Sequence, residues 1–221
     1  MDLLRKTLVG FQDRAAVTRV FFPDQMELAV ARSGQTMDPS AGPRGPGPKG
    51  SKFKFGYLTK QNALWAAFGL NIFGEKFSPA DLVKDSDELF VVAYPSFNPR
   101  EELSATYQLW QGAAQPKGRP LVVFNGELDR IRGGYYPAFA FGELAQLSKD
   151  FIPLFDAAYY IRNFKGSRPG ALFRCYPGPW QVLRRNPLDD GDMRVVWTGD
   201  ERPTLRQVAM EILPGSSQAA Q

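Results

Sequence analysis

Apolar residues along the chain form short continuous runs separated by segments with helical spacing, a pattern that predicts strands and helices in turn. Residues 88–94 and 120–124 are almost entirely apolar, as is typical of strands buried on both faces of a parallel sheet. Between them, Asn98 and Pro99 are typical of a helix start, and apolar residues then recur every three or four positions. A second helical pattern precedes a third strand at 157–162. This order predicts a three-layer α/β fold, with a mainly parallel central sheet and helices on both faces.

The segments on either side of this central part have different patterns. Residues 17–22 predict another strand, 26–31 a further extended segment, and 57–73 a helix. After the third strand, short extended runs are separated by Pro-Gly-Pro and Asp-Asp-Gly-Asp, which predicts a C-terminal antiparallel β-meander closed by a short helix. The three runs are residues 171–176, 180–185 and 193–198, and the helix is predicted over 204–212.

The chain is expected to form a single domain over residues 1–214, with a disordered tail at 215–221. Residues 33–51, "SGQTMDPSAGPRGPGPKGS", have the composition of a mobile Pro/Gly-rich loop. This loop approaches the spacing of a phosphate-binding loop between Gly42 and Lys49. However, its prolines lack the backbone N–H groups that a phosphate cradle requires, so we reject that interpretation.

Two residue types are scarce enough to exclude several kinds of catalytic site. The 221 residues include no histidine, which excludes a Ser-His-Asp triad, a Cys-His pair and any His-ligated metal. The single cysteine, Cys175, cannot form an internal disulfide, and its strand-like surroundings predict a buried packing thiol. We therefore expect no catalytic constellation, no metal and no cofactor.

The net charge of +4 is small, but the basic residues are concentrated in two windows without any acid. Such windows favour phosphates, anionic lipid or an acidic protein partner, although solvated loops and strand edges would have the same composition. The first window, 39–74, contains Arg44, Lys49, Lys52, Lys54 and Lys60, and the second, 157–188, contains Arg162, Lys165, Arg168, Arg174, Arg184 and Arg185.

The segment "FNGELDRIRGGYYP", residues 124–137, leaves the end of a predicted central strand. Ligands of open parallel sheets collect at the carboxyl ends of strands, so this is a suitable position for a functional loop. Its charged residues could hold an anion together with an upstream asparagine, or could simply brace the loop as ion pairs. Its arginines and tyrosines could instead contact a partner. The anion-binding set is Asn98, Glu127, Asp129 and Arg130, and the partner-binding set is Arg130, Arg132, Tyr135 and Tyr136.

A second candidate surface lies in "GALFRCYPGPWQVLRR", residues 170–185. The Pro-Gly-Pro turn would present Tyr176 and Trp180, and neighbouring cationic side chains would supply charge for a membrane-protein loop or anionic headgroups. The alternative is that Trp180 belongs to the core and that the turn merely joins two strands. The cationic residues predicted to contribute are Lys165, Arg174, Arg184 and Arg185.

Four segments together resemble the family of domains of unknown function called DUF1995. They are "ELFVVAYPSFNP", "FNGELDRIRGGYYP", "YYIRNFKG" and "LFRCYPGPWQVLRR", and the resemblance covers residues 1–214. It implies a chloroplast stromal protein, peripheral to the thylakoid membrane, that helps to assemble photosystem II. The partners it implies are photosystem subunits or assembly proteins, or else anionic thylakoid lipid headgroups. It implies no reaction, because the family offers no catalytic residues to transfer.

Two other functions compete with this expectation. One is a stromal enzyme that binds a nucleotide or phosphometabolite at the carboxyl edge of the parallel sheet. The other, RNA binding, is weaker because the sequence has no recognised RNA-binding motif, and we expect no nucleic-acid partner. The most apolar segment, 63–73, is shorter than the roughly 20 residues of a bilayer span, so no transmembrane segment is expected.

Overall fold

The computed structural model describes residues 2–33, 45–60, 77–96, 98–132, 142–186 and 189–215. They belong to two compact units, Met1–Leu154 and Phe155–Gln221. In the first unit the strands are β1 (Thr18–Asp24), β2 (Lys54–Thr59), β3 (Leu89–Ala93) and β4 (Leu121–Phe124). Its α-helices are α1 (Asp2–Val9), α2 (Gln25–Ser33), α3 (Pro99–Leu109), α4 (Asp129–Arg132) and α5 (Gly142–Asp150).

The four strands of the first unit form one parallel sheet in the order β2-β1-β3-β4. Register partners run straight across it, from Phe55 through Val20 and Val91 to Val122. The two central strands, β1 and β3, are buried along their whole length. Their near-continuous apolar sequences are therefore explained by cover on both faces.

Helices cover both faces of this sheet. Successive side chains of a strand point to opposite faces, so neighbouring residues of β1 pack against different helices. Val20 and Phe22 of β1 pack with Leu4, Leu8 and other residues of α1 and α2. Phe21, between them, packs on the opposite face with residues of β3 and α3, and its ring lies edge-on to that of Phe90, with 6.2 Å between centroids. The structure thus confirms the predicted α/β class with a parallel sheet between helical layers.

The second unit contains the predicted antiparallel meander, and it forms a sheet of its own in the order β5-β6-β7-β8. Its first strand was predicted at 157–162 as part of the parallel sheet, and this was wrong, because the strand pairs antiparallel with β6. One face of this sheet packs against a C-terminal helical segment, burying Leu172, Trp180 and Val182 together with Val208 and Leu213. We call this the inner face. The elements are β5 (Tyr159–Phe164), β6 (Gly170–Cys175), β7 (Trp180–Asn186), β8 (Asp189–Gly199) and α6 (Leu205–Gln207), which continues as a wider helical turn, Val208–Ile212.

Two predictions about the first unit were wrong. Residues 26–31 belong to helix α2 rather than to a strand, because the Asp24 carboxylate accepts a hydrogen bond from the Glu27 N–H (2.8 Å) and so caps the helix. The predicted helix at 57–73 overlaps strand β2, in which Tyr57 and Leu58 alternate between the two faces. Residues 61–73 of that segment, residues 34–44 of the Pro/Gly loop and residues 216–221 lie outside the described residues.

Candidate functional site

The carboxyl edge of the parallel sheet is the first candidate site. The chain passes from β1 to β2 on one side and then to β3 on the other, so a crevice is expected beyond the ends of β1 and β3. Among the described residues of the segments that leave this edge, three residues other than glycine have a positive φ: Tyr94 (55°), Asn125 (53°) and Glu127 (48°). Such backbone conformations are costly for L-residues and often occur at functional sites.

The charged residues of the loop after β4 mainly bind each other and the backbone. Arg130 donates to the Glu127 carboxylate, with 2.9 Å between Nη1 and Oε2, and both side chains are substantially exposed. Arg132 donates through Nη2 to the Ile152 carbonyl at 2.9 Å. Asp129 is half-buried as the first residue of α4. The structure therefore brings Glu127 and Arg130 together as an ion pair.

A small cavity lies beside this ion pair. Its volume of about 10 Å³ is close to the space that one water molecule needs. Asn98 stands at the start of α3, where its N–H donates to the Glu102 carboxylate at 2.9 Å, and it does not line the cavity. The lining residues are Ser96, Pro99, Gly126, Glu127, Arg130 and Ile131.

Tyr94, directly after β3, has an unusual hydroxyl. Its ring lies 5.4 Å from that of Phe124, and its Oη is buried without a hydrogen-bond partner among the described residues. Burial raises the pKa of this hydroxyl. Tyr135 and Tyr136, predicted to contact a partner, lie outside the described residues.

The second candidate site is the face of the antiparallel sheet opposite its core, which we call the outer sheet face. Tyr159 (68% exposed), Ile161 (56%) and Val195 (50%) project from it. Phe173 and Leu183 lie between them, as register partners of Ile161 and Val195 respectively. Single exposed apolar residues are common, but a contiguous apolar patch marks an interaction site. Apolar alternation within the strands does not single out this face, because residues on the inner face, such as Tyr160, Leu172 and Val182, are apolar as well.

That turn, residues 176–179, presents only part of what was predicted. Tyr176 is 65% exposed, and the Arg174 guanidinium lies 5.7 Å from the centre of its ring. Trp180 is only 3% exposed and belongs to the core of the unit. The prediction that it contacts a partner was therefore wrong, and the alternative, that it is a core residue, is confirmed. Cys175 is exposed rather than buried, because it ends β6 on the outer sheet face, opposite Tyr159.

The remaining predicted contact residues are distributed around the same unit. Lys165 is exposed in the turn after β5. Arg184 is half-buried and donates through Nη2 to the Ile212 carbonyl at 3.1 Å, which places it at the end of the C-terminal helical segment. Arg185 is half-buried beside it. In the first basic window, Lys54 is bound to Asp87 and so is not available as a surface charge.

In the parts of the chain that the structure describes, no helix has the length and apolar character needed to cross a membrane. The same residues contain no cluster of three or more acidic or cysteine side chains arranged to hold a metal ion.

The fold and these surfaces define a two-unit α/β protein with an exposed apolar sheet face. Residues 1–210 match the model of a family described as "Domain of unknown function (DUF1995)", and the chain belongs to that family. The match extends over both units. Neither the curated proteins nor the solved structures contain a match to this chain.

Proposed function

We propose that this chain is a non-enzymatic auxiliary factor that binds a photosystem II complex during its assembly. It would act in the chloroplast stroma, at the stromal face of the thylakoid. Membership of the DUF1995 family supports the proposal. The more specific assignment is our own interpretation of the long motifs, which resemble those of the chloroplast protein called low photosystem II accumulation 3. The motif "LFRCYPGPWQVLRR" contributes directly to the sheet whose outer face we propose as the contact surface.

The outer sheet face is the structural observation that carries this proposal. Covering apolar surface is favourable by roughly 25 cal/mol per Å², so the exposed side chains of Tyr159, Ile161 and Val195 favour association with another apolar surface. Exposed Lys165 belongs to the same unit and would attract acidic groups. We therefore propose an occupant of one kind: a stromal segment of a photosystem subunit or assembly protein that combines apolar and acidic side chains.

Affinity purification of the tagged chain from solubilised thylakoids tests this function. We expect photosystem II subunits to be recovered with it, in amounts that a tag-only control does not give. Recovery should fall when the outer sheet face is changed and remain when an apolar surface elsewhere is changed. A chain found only in the free stroma, without any photosystem subunit, would contradict the proposal.

A second function is favoured by the positive-φ residues at the carboxyl edge of the parallel sheet. Here the chain would be a stromal enzyme that binds a nucleotide or phosphometabolite near Glu127 and Arg130. Thermal-shift screening with such ligands tests it, because a ligand at 100 times its dissociation constant stabilises a protein by about 2.7 kcal/mol. Stabilisation that disappears in Arg130→Gln but persists in Arg194→Gln would support this function. A screen in which none of these ligands raises the unfolding temperature would contradict it.

A further inference from the structure

Three arginines of the antiparallel sheet line one concavity near the end of the β7–β8 pair. Arg184 and Arg194 are register partners on these strands, so their side chains leave the same face of the sheet. The concavity has a volume of about 240 Å³. We call it the arginine pocket, and it is lined by Arg184, Arg185, Asn186, Asp192 and Arg194.

Two of the residues that line the arginine pocket, Arg184 and Arg194, carry like charges and lie opposite each other on neighbouring strands. Within the described ranges, neither Arg184 nor Arg194 forms an ion pair. Like charges directly opposite each other on neighbouring strands are destabilising. The fold therefore maintains a repulsive pair that an anion would relieve.

The Arg184 guanidinium is anchored by one hydrogen bond and has a further buried N–H group that could bind a ligand. Its Nη2 donates to the Ile212 carbonyl, which anchors the guanidinium against the C-terminal helical segment. Its Nε is buried and has no acceptor among the residues that the structure describes. A buried N–H without an acceptor costs free energy, more so when the group is charged. An oxyanion could provide that acceptor.

A further arginine approaches Arg184 from the β5–β6 turn. A Cβ atom added to Gly215 would stand 3.2 Å from Nη2 of Arg184 and 3.8 Å from Nη1 of Arg168. The two guanidinium groups thus converge on the same glycine. Converging cations raise the local positive potential and favour an anion nearby.

We propose that the arginine pocket binds a phosphate group, a role that goes beyond the proposed photosystem contact on the outer sheet face. Guanidinium groups present a planar fork of N–H donors that matches phosphate geometry, and charge-assisted hydrogen bonds of this kind are strong. The pocket is smaller than the roughly 300–1,000 Å³ typical of drug-sized ligands, which suits a phosphate ester or a single headgroup. The same phosphate chemistry can come from a soluble phosphate ester or from the phosphodiester of an anionic lipid.

Two binding measurements on the full chain separate these sources. Calorimetric titration with inorganic phosphate and glycerol phosphate detects a soluble ligand. Flotation with phosphatidylcholine vesicles, with and without phosphatidylglycerol, detects a headgroup. The test variant is Arg194→Gln, since Arg194 is exposed and its loss should leave folding intact. The matched control is Arg162→Gln, which removes an exposed arginine of β5 that does not line the pocket.

We expect one of these ligand classes to bind the wild-type chain. Arg194→Gln should weaken that binding about tenfold, because the variant loses one charge-assisted hydrogen bond to the phosphate. Arg162→Gln should bind like the wild type. Saturable binding of soluble phosphate would identify a soluble ester, and dependence on phosphatidylglycerol alone would identify a lipid headgroup. The proposal is overturned if the wild-type chain binds in neither assay. It is also overturned if Arg194→Gln and Arg162→Gln lose the same binding affinity, because this would show only a general attraction of anions to positive charge. Circular dichroism checks that both variants are folded.

Discussion

Arg19 and Asp87 form an ion pair inside the first unit, with 2.7 Å between Nε of Arg19 and Oδ2 of Asp87. The Asp87 side chain is fully buried and that of Arg19 is 8% exposed. Lys54 of β2 donates to the other oxygen, Oδ1, also at 2.7 Å. The carboxylate before β3 therefore links β1 and β2, at the amino end of the sheet and away from the candidate ligand edge.

The first prediction concerns the stability of this buried network. Replacing Asp87 with Asn should lower the free energy of unfolding by about 3–5 kcal/mol, because Arg19 and Lys54 would lose the negative charge that compensates them. Urea unfolding measures the change. Asp85→Asn is the matched control: that side chain is 99% exposed in its ion pair with Lys117, so its unfolding midpoint should match the wild type. Equal effects of both substitutions would show that burial of the network does not matter.

The second prediction is a pH dependence. Burial alone would raise the pKa of Asp87, but hydrogen bonds from Lys54, the Lys84 N–H and Arg19 outweigh burial and lower it. The folded state therefore releases this proton more readily than the unfolded state, whose pKa is about 3.9. The stabilisation is present above that pH and is lost as pH falls through the lower folded pKa.

Urea midpoints measured between about pH 2 and 7 should therefore fall at the acid end in the wild type. The fall should be shallower in Asp87→Asn, which lacks the titrating carboxyl. Parallel curves for the two proteins below about pH 4 would contradict the assigned direction of the pKa shift.

The third prediction tests the outer sheet face as a contact surface. Ile161→Thr combined with Val195→Thr removes apolar surface while keeping β-branched side chains that suit strands. Recovery of the photosystem partner should fall about tenfold, since each buried methyl or methylene group lost costs about 0.8 kcal/mol. The control is Met26→Gln with Val30→Thr, which changes two comparably exposed residues of α2. Unchanged recovery with the outer-face variant would exclude this face.

The fourth prediction separates the two aromatic residues of the Pro-Gly-Pro turn. Trp180→Ala should destabilise the chain by about 3–5 kcal/mol, because it leaves a cavity among Leu172, Val182 and Val208. Tyr176→Ala, at an exposed position, should leave the unfolding midpoint nearly unchanged. Thermal and urea unfolding of both variants provide the check. A mild effect of Trp180→Ala would mean that the ring is not a core element.

The fifth prediction concerns a close contact between strands of the meander. A Cβ on Gly170 would stand 2.2 Å from the Leu183 carbonyl oxygen and 2.5 Å from the Leu213 side chain. Gly170→Ala should therefore destabilise the chain by about 1–3 kcal/mol, through strain in the β6–β7 pairing. Gly142→Ala, at a position with open space for a Cβ, is the control and should not destabilise. Calorimetric unfolding of the two variants gives the comparison.

The elements that were predicted correctly have sequence patterns set by their own burial. Strand β3 is a continuous apolar run buried along its length, and the short strands of the meander are bounded by strong turn residues. Strand β4 was correctly located, but it is a half-buried edge strand of the described sheet rather than the buried central strand that its apolar run predicted. Strand β2 was missed because "KFGYLT" is short and contains Gly56, whose backbone lies close to the side chains of Phe21 and Leu82. Helix α2 was missed because its capping residue, Asp24, also ends a strand.

The candidate sites were only partly predictable for a different reason. The loop after β4 was found because position at a strand end can be inferred from chain order. Arg194 was missed because its importance depends on lying opposite Arg184, ten residues away across a hairpin with irregular register. The exposure of Cys175 and the burial of Trp180 likewise depend on which face of the sheet the C-terminal helical segment covers.

The sequence by itself determined the α/β class, the antiparallel meander and the absence of histidine chemistry, because these follow from composition and from local periodicity. Only the tertiary structure decided that Asp87 joins Arg19 and Lys54, that Arg184 faces Arg194, and that the apolar outer sheet face is exposed. Those relationships depend on strand register and on packing between residues far apart in the chain. No local pattern of hydrophobic and polar positions encodes them directly.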